Sequence, residues 1–377
     1  MLYATPALDS ADQQVLAESG EIRRDLRHQL AEPHRWDGQL RRNLEARAVQ
    51  GSNSIEGYHA TLEDVESVVA GEVPLEASAQ VSRELVGYRQ ALSYIQVLGC
   101  TRHFRYEATL LHALNFMMIG HHTGKAPGTP RPGCVFIRNG ATGETVYEGP
   151  DAERVPALMD ELVTWLNEGD LDAHVYVRAA MAHLNLVKIH PWRDGNARGS
   201  RALQTLVLAR DGVLSPQFSS IEEWLGVSEN TVDYYRVLGD VGGREWSPHR
   251  DTHSWVRFCL RAHHMQAQAV RQRLREAADV WCRLDERIEA EGLHSRCVSA
   301  LYQVFVSRRL RRATYQSDEV LSPGQATRDL RELAKRGWLA PYGETKGRFY
   351  APGPLMMEIR ADFERRREPL RDPYRRG

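Results

Sequence analysis

The sequence lacks the features that mark secreted, membrane-bound and strongly charged proteins. Its 377 residues include only five cysteines. They are widely spaced and form no CxxC pair, which excludes a disulfide framework and favours reduced thiols in the cytoplasm. No run approaches the roughly 18 apolar residues of a membrane span, and residues 1–6 show neither the basic start nor the apolar core of a signal peptide. We therefore expect a cytoplasmic protein with no membrane partner.

The composition is that of an ordinary globular protein. Hydrophobic residues make up 42% of the chain and charged residues 26%, and the length is enough for two or more domains. The formal net charge is −1, so the chain as a whole has no bias towards polyanions. Basic residues outnumber acidic ones after residue 300, which is a weak indication of an acidic partner for the C-terminal part.

Hydrophobic periodicity predicts a mainly α-helical protein. Apolar residues recur at helical spacing over most of the chain. The predicted helices cover much of residues 10–50 and residues 61–69, 78–98, 106–118, 155–166, 175–189, 197–208 and 251–291. The exception is a β-hairpin, predicted from β-prone residues 134–138 and 145–147 with turns at Asn139-Gly140 and Thr142-Gly143.

The most informative segment is residues 190–198, His-Pro-Trp-Arg-Asp-Gly-Asn-Ala-Arg. It joins a strongly apolar helix, which Pro191 ends, to a second core helix. Gly195 and Asn196 tolerate positive φ, so their backbone N–H groups can form an anion-binding nest beside the N-terminus of the second helix. The order of residue types favours a phosphate site over the alternative, a buried helix corner in which His190 and Asp194 are caps.

The side chains of this segment suit nucleotide chemistry. His190 can accept a proton near neutral pH, and Asp194 offers the hard oxygen ligand that Mg²⁺ prefers. Arg198 and Arg201 are three residues apart on one helix face, where their guanidinium groups could share a polyphosphate.

This segment resembles the signature of the Fic family, His-Pro-Phe-x-Asp/Glu-Gly-Asn-Gly/Lys-Arg, and the resemblance extends over about residues 40–265. It implies an all-helical fold with a β-hairpin flap, and transfer of AMP from ATP to a Ser, Thr or Tyr hydroxyl of a target protein. Trp192 replaces the family's Phe, and Ala197 replaces Gly or Lys. The absence of Lys argues against a related phosphokinase activity.

The resemblance also implies a role for each matching residue. His190 would be the general base, and Asp194 would hold Mg²⁺. The flap, residues 133–150, would align the target protein by strand pairing. The residues implied to bind the phosphates of ATP are Gly195, Asn196, Arg198 and Arg201. Tyr234 and Tyr235 lie where the family often lines its adenine pocket, with core packing as the alternative.

A second signature lies N-terminal to the motif, in Ser52-Asn53-Ser54-Ile55-Glu56-Gly57. It resembles the family's inhibitory helix, Ser/Thr-x-x-x-Glu-Gly/Asn. A Glu56 carboxylate paired with Arg201 would occupy the guanidinium needed for the γ-phosphate of ATP. The alternative is a short surface helix that Gly57 ends.

The C-terminal residues predict a small module that looks like a winged helix-turn-helix. Ser322 is a suitable N-cap, and a hairpin is expected around residues 343–347. The outer face of the helix that Ser322 caps would carry Arg328, Arg331 and Lys335. The module could bind DNA or, alternatively, mediate protein interaction or dimerisation.

Two adjacent histidine pairs, His121-His122 and His263-His264, are expected not to bind a metal jointly, because adjacent residues of a helix point apart.

These patterns together predict a mainly α protein with a Fic-type helical core, a β-hairpin flap and a C-terminal winged helix-turn-helix. The predicted divisions are an N-terminal helical region (1–100) with an inhibitory helix around 52–57, a catalytic core (101–265), a linking helix (266–292), and the winged module with a basic tail (293–377). We expect an adenylyltransferase that uses ATP and Mg²⁺, modifies a target protein and itself, and is inhibited by Glu56. Alternatives are removal of AMP, transfer of another nucleotide, or a DNA-binding or scaffold protein whose Fic domain only binds ATP. Further candidate partners are a second copy of the chain and DNA.

Overall fold

The computed structural model describes residues 1–138, 143–344 and 347–375. The helices are α1 Ser10–Gln29, α2 Asp37–Ile55, α3 Leu62–Val69, α4 Ala79–Cys100, α5 Ala108–Ile119, α6 Val155–Glu168, α7 Val175–Ile189, α8 Asn196–Asp211, α9 Pro216–Ser219, α10 Glu222–Leu225, α11 Ser228–Gly242, α12 His253–Ala290, α13 Cys297–Ser307, α14 Arg312–Asp318, α15 Pro323–Lys335 and α16 Pro354–Arg366. The strands are β1 Phe136–Arg138, β2 Thr145–Glu148, β3 Leu339–Tyr342 and β4 Phe349–Pro352. The mainly helical fold predicted from periodicity is confirmed.

The described residues contain two small antiparallel sheets, each of which is a β-hairpin. β1 pairs with β2, and β3 pairs with β4. The predicted turn at Asn139-Gly140, and Thr142 of the next one, lie outside the described residues. Across the described ranges, every helix is too short or too polar to cross a lipid bilayer.

The centre of the molecule is the pair α7 and α8, which lie against each other. Nearly every residue of α7 is buried, as its continuous apolar character predicts. Trp255 of α12 is fully buried against α7 and donates its indole N–H to the Ala180 carbonyl at 2.8 Å. The loop between α7 and α8 contains the predicted motif, which is therefore fixed by two core helices.

The buried apolar residues form two clusters. The first surrounds α7 and α8 and extends to the flanking helices α4, α5 and α6. The second joins α1 and α2 to the C-terminal elements. The long helix α12 contributes to both, with Trp255 in the first cluster and Leu284 in the second.

The C-terminal elements follow the predicted order of helices and hairpin, α13, α14, α15, β3 and β4. Ser322 caps α15 by accepting a hydrogen bond from the Gln325 N–H at 3.2 Å. The expected basic tail instead begins with helix α16, whose Met356, Ile359 and Phe363 are buried. Their spacing of three and four residues is the helical signal that the abundance of arginine obscures.

Candidate active site

The loop between α7 and α8 is shaped by two residues with left-handed backbones. His190, with φ of 52°, ends α7, and Gly195, with φ of 76°, is the N-cap of α8. A Cβ atom at Gly195 would lie 2.9 Å from the side-chain nitrogen of Asn115. Glycine is therefore required both because the backbone is left-handed and because there is no room for a side chain. The N-terminus of α8 consequently opens directly onto the loop.

Asn196 is the first residue of α8 and does not have a positive φ, so Gly195 is the residue of the pair that takes the left-handed conformation. Its buried side chain closes the loop: the amide oxygen accepts from the Trp192 N–H at 3.0 Å, and the amide nitrogen donates to the Trp192 carbonyl at 2.9 Å. Ala197 also lies within α8, so its backbone does not need the glycine found there in the Fic signature.

The larger ring of Trp192 fits because a glycine faces it. A Cβ atom at Gly199 would lie 2.8 Å from the Trp192 ring. The indole nitrogen of Trp192 lies 2.9 Å from His112 Nδ1 and donates to it. Trp192 is therefore a buried anchor of the loop.

The imidazole of His190 is oriented by its own helix. Its Nδ1 lies 3.1 Å from the Val187 carbonyl, so the proton is on Nδ1 and Nε2 has a free lone pair. None of the described residues hydrogen-bonds Nε2. Burial lowers the pKa of His190 to about 4, with nearby Arg131 and Lys188 acting in the same direction. The ring is neutral at pH 7 and can accept a proton through Nε2.

The Asp194 carboxylate has one oxygen engaged and one directed outward. Oδ1 accepts from the Gly195 N–H at 2.6 Å, and Oδ2 lies 3.9 Å from Lys125 Nζ. The Asp194 carbonyl accepts from the side chain of Asn115 at 2.9 Å, which fixes the residue's backbone. Asp194 thus presents a hard oxygen ligand beside the N-terminus of α8, and these donors fit Mg²⁺.

Arg198 and Arg201 are both buried on α8, and both are held by carboxylates from elsewhere in the chain. Arg198 Nη1 lies 2.5 Å from Glu84 Oε2. Arg201 Nη2 lies 2.7 Å from Glu56 Oε1. The two guanidinium groups expected to share a polyphosphate are therefore engaged within the protein.

Arg201 is bound most closely by the end of α2. Its Nε donates to the Ser52 hydroxyl at 2.8 Å, and its Nη2 donates to the Ser52 carbonyl at 3.0 Å and to Glu56. Burial alone would lower the pKa of Arg201, but the Glu56 carboxylate raises it above its usual range. Nη1 is buried and has no hydrogen-bond partner within the described part of the chain. Nη1 could therefore donate a hydrogen bond to an anionic ligand that reached it.

The segment containing Ser52 and Glu56 is not a short surface helix. It is the last turn of α2, a helix of 19 residues, and Ser52 is fully buried. Gly57 takes a φ of 85° and ends the helix. The hydroxyl of Tyr235 donates to the Ile55 carbonyl at 3.3 Å, which adds a contact between this turn and α11.

The two tyrosines predicted near the nucleotide differ in environment. Tyr234 is fully buried, and its hydroxyl lies 2.9 Å from His183 Nε2, so its ring is part of the core. Tyr235 is 47% exposed and has ring surface available to a ligand.

The flap lies beside His190. Phe136 of β1 pairs with Glu148 of β2, and both Phe136 and Val146 are largely exposed. Tyr147 is buried and donates its hydroxyl to the Lys188 carbonyl at 2.5 Å, which ties the flap to the end of α7.

Sequence spacing did not reveal Arg131, which joins the flap to the motif. Its Nε donates to the His190 carbonyl at 2.8 Å, its Nη1 donates to the Gly133 carbonyl at 2.5 Å, and its Nη2 contacts the Pro150 carbonyl. Its position among three prolines, two before it and one after it, marks only a loop. Glu84, the partner of Arg198, was also missed, because the two residues are far apart in sequence.

Comparisons with known proteins show a family to which part of this chain is similar. Residues 106–208 match the model of the Fic/DOC family. The protein adenylyltransferase Fic of Nematostella vectensis is 25% identical over 212 residues, covering 56% of this chain and 45% of that protein. The protein of the same name from Drosophila melanogaster is 30% identical over 200 residues, covering 52% and 38% respectively. The chain thus spans less than half the length of these curated relatives.

Solved structures share the fold. A Fic family protein from Desulfovibrio desulfuricans has a TM-score of 0.57 at 23% identity, covering 93% of this chain and 99% of that one. Fic-1 from C. elegans has a TM-score of 0.56 at 23% identity, covering 69% and 71%.

Proposed function

We propose, from the Fic/DOC-family domain that residues 106–208 form, that this protein transfers AMP from ATP to a Ser, Thr or Tyr hydroxyl of a target protein and of itself. The observation that best supports the proposal is the free Nε2 of a neutral His190 beside the N-terminus of α8. The names of the matched relatives, protein adenylyltransferase Fic, support the same reaction.

In the proposed step, the target hydroxyl oxygen attacks the α-phosphorus of ATP. A new P–O bond forms, the bond from the α-phosphorus to the bridging oxygen of the β-phosphate breaks, and pyrophosphate leaves. His190 Nε2 takes the hydroxyl proton. The Val187 carbonyl keeps the imidazole in the required tautomer and orientation.

The phosphates of ATP are proposed to bind at the N-terminus of α8. The free N–H groups and the helix dipole there attract anions, and the left-handed Gly195 leaves the backbone open to close approach. Arg198 and Arg201 supply the positive charge nearby, and Asn196 contributes by closing the loop.

Asp194 is the residue proposed to hold Mg²⁺, through the Oδ2 oxygen that its Gly195 hydrogen bond leaves free. When bound, the ion would neutralise charge on the phosphates. Lys125, whose Nζ lies 3.9 Å from Oδ2, adds positive charge at the same edge of the loop.

Glu56 is proposed to restrain the reaction. Its carboxylate occupies Arg201 at 2.7 Å, at the guanidinium expected to meet the γ-phosphate. A charge-assisted contact of this kind is worth about 1.5–3 kcal/mol, so it competes with a phosphate of the ligand. Its side chain is 26% exposed, which leaves it room to move away.

The flap is proposed to hold the target protein. β1 and β2 form a two-stranded sheet within the described residues, and Glu148 of β2 makes a bridge to Glu245. An extended target segment could add to the edge formed by β1. The exposed Phe136 and Val146 would contact the target's side chains.

Labelling with ATP carrying the label at different phosphates tests the reaction. The Glu56→Gly variant, incubated with Mg²⁺, is expected to label itself from α-labelled ATP and not from γ-labelled ATP. Label from γ-labelled ATP would indicate phosphate transfer and contradict the proposal. Equal or faster labelling from another α-labelled nucleoside triphosphate would contradict the choice of ATP.

A further inference from the structure

Three metal-binding side chains converge at Glu84 on α4. The Nε2 atom of His121 lies 3.0 Å from Glu84 Oε1, and the Nε2 atom of His122 contacts the same oxygen. All three potential ligand atoms lie within 4.8 Å of one another.

His121 and His122 do not lie on a helix, contrary to the assumption from which separated imidazoles were expected. α5 ends at Ile119, so neither histidine is part of that helix. His122 has φ of −98° and ψ of 67°, which is not a helical conformation. The irregular backbone turns both imidazoles to the same side, where a helix would have separated them.

The polar groups of this cluster, defined as Glu84, His121 and His122, are incompletely satisfied. Glu84 is fully buried, and its other oxygen, Oε2, already accepts from Arg198. The Nε2 of His121 is buried and has no partner of hydrogen-bond geometry among the described residues. An unsatisfied buried nitrogen destabilises the fold unless a ligand engages it. A cation between the three atoms would engage both imidazoles and Oε1 together.

We propose that Glu84, His121 and His122 bind a divalent transition-metal ion, of which Zn²⁺ is the representative. Two imidazole nitrogens and one carboxylate oxygen are a donor set typical of Zn²⁺, with a fourth position open to water. Arg198 holds the other carboxylate oxygen, which is the outer contact that orients a ligating carboxylate. The side chains of His121 and His122 are 19% and 28% exposed, so the ion has a path from solvent.

This site differs from the Mg²⁺ site proposed at Asp194. Mg²⁺ prefers oxygen ligands, whereas this cluster offers two nitrogens. Its existence does not depend on AMP transfer, and Zn²⁺ binding can be measured without nucleotide.

Titration calorimetry of the untagged full chain with Zn²⁺ tests the site. Chelator-treated protein is expected to bind one equivalent with a Kd in the micromolar range or tighter. His121→Ala and His122→Ala are each expected to weaken this binding at least tenfold. His249→Ala, which removes an exposed histidine elsewhere, is the control and should bind as the unaltered chain does. Absence of binding to the unaltered chain, or undiminished binding to the double variant His121→Ala/His122→Ala, would overturn the proposal.

X-ray absorption of the Zn²⁺-loaded, unaltered chain gives a second test that does not depend on variants folding. The proposal predicts nitrogen and oxygen ligands at about 2.0–2.2 Å and scattering from two imidazoles. A sulfur ligand at about 2.3 Å would instead place the ion at an exposed cysteine such as Cys100, and would overturn it.

Discussion

Individual residues of the motif combine chemistry with support of the loop. His190 offers Nε2 for proton transfer, while its left-handed backbone ends α7. Asn196, expected to be a phosphate ligand, uses its side chain to close the loop on Trp192. Substitution of either residue would alter both the chemistry and the shape of the loop.

The pH dependence of the reaction follows from His190. A free histidine has a pKa of about 6.5, but burial lowers that of His190 to about 4. A lowered pKa means that the imidazole stays neutral until the pH approaches 4, and that the base is lost only below that. With saturating Mg²⁺ and ATP, we expect kcat of the Glu56→Gly variant to be constant between about pH 5.5 and 7.5. A tenfold fall per pH unit beginning near pH 6.5 would show that His190 titrates as a solvent-exposed histidine does.

Among the elements, α2 carries the restraint proposed for Glu56 and packs on the rest of the fold. Its last turn holds Arg201 through Ser52 and Glu56. One turn earlier, Gly51 packs so closely on α10 that an added Cβ would lie 2.1 Å from the Glu222 carbonyl oxygen. The position of the Glu56 carboxylate therefore depends on this close backbone contact.

Substitution of Gly51 tests this dependence. Gly51→Ala is expected to push α2 away from α10, lowering the free energy of unfolding by about 1–3 kcal/mol and raising self-labelling. Gly38→Ala is the matched control on the same helix, because the nearest atom to its Cβ would be 3.9 Å away. Gly38→Ala should leave self-labelling unchanged. Both variants are measured by thermal unfolding and by self-labelling from α-labelled ATP. Equal labelling by Gly51→Ala and Gly38→Ala would show that the restraint does not depend on the contact between α2 and α10.

The sequence predicted the elements better than the contacts between them. Periodic apolar residues place α7 at the residues where the structure has it, and α3 within one residue of its observed start. The motif and the inhibitory signature likewise predicted the pairing of Glu56 with Arg201. Arg131 and Glu84 were not found, because their partners are distant in sequence and no local spacing connects them. The helix α16 was missed because arginines surround its apolar positions.

At the scale of the whole molecule, the C-terminal elements pack on the N-terminal helices. Leu44 of α2 and Leu301 of α13 belong to one buried cluster. Arg309 pairs with Asp64 at 3.2 Å, so it is neither exposed nor available to DNA. Arg309 is therefore a basic residue of this region whose charge is paired within the protein.

The exposed cations of α15 remain as a candidate nucleic-acid surface. Arg328, Arg331 and Lys335 are exposed on this helix. If they contact phosphates, changing all three to Ala should weaken binding to random duplex DNA and reduce the salt slope by roughly three. The control Arg102→Ala/Arg154→Ala removes two exposed arginines outside the C-terminal elements. Mobility shifts at several salt concentrations measure the slope, and an unchanged slope would favour a protein-interaction role.

We propose that His190 performs AMP transfer and that Glu56 restrains it through Arg201. The most direct measurement compares self-labelling from α-labelled ATP by the unaltered chain, Glu56→Gly, and Glu56→Gly/His190→Ala, with Glu32→Gly as an exposed control. Loss of the 2.7 Å contact to Arg201 is expected to raise labelling by Glu56→Gly about tenfold or more. Glu32→Gly should match the unaltered chain, and the double variant should show no labelling. Equal labelling by Glu56→Gly and the unaltered chain, or persistent labelling by the double variant, would contradict the account.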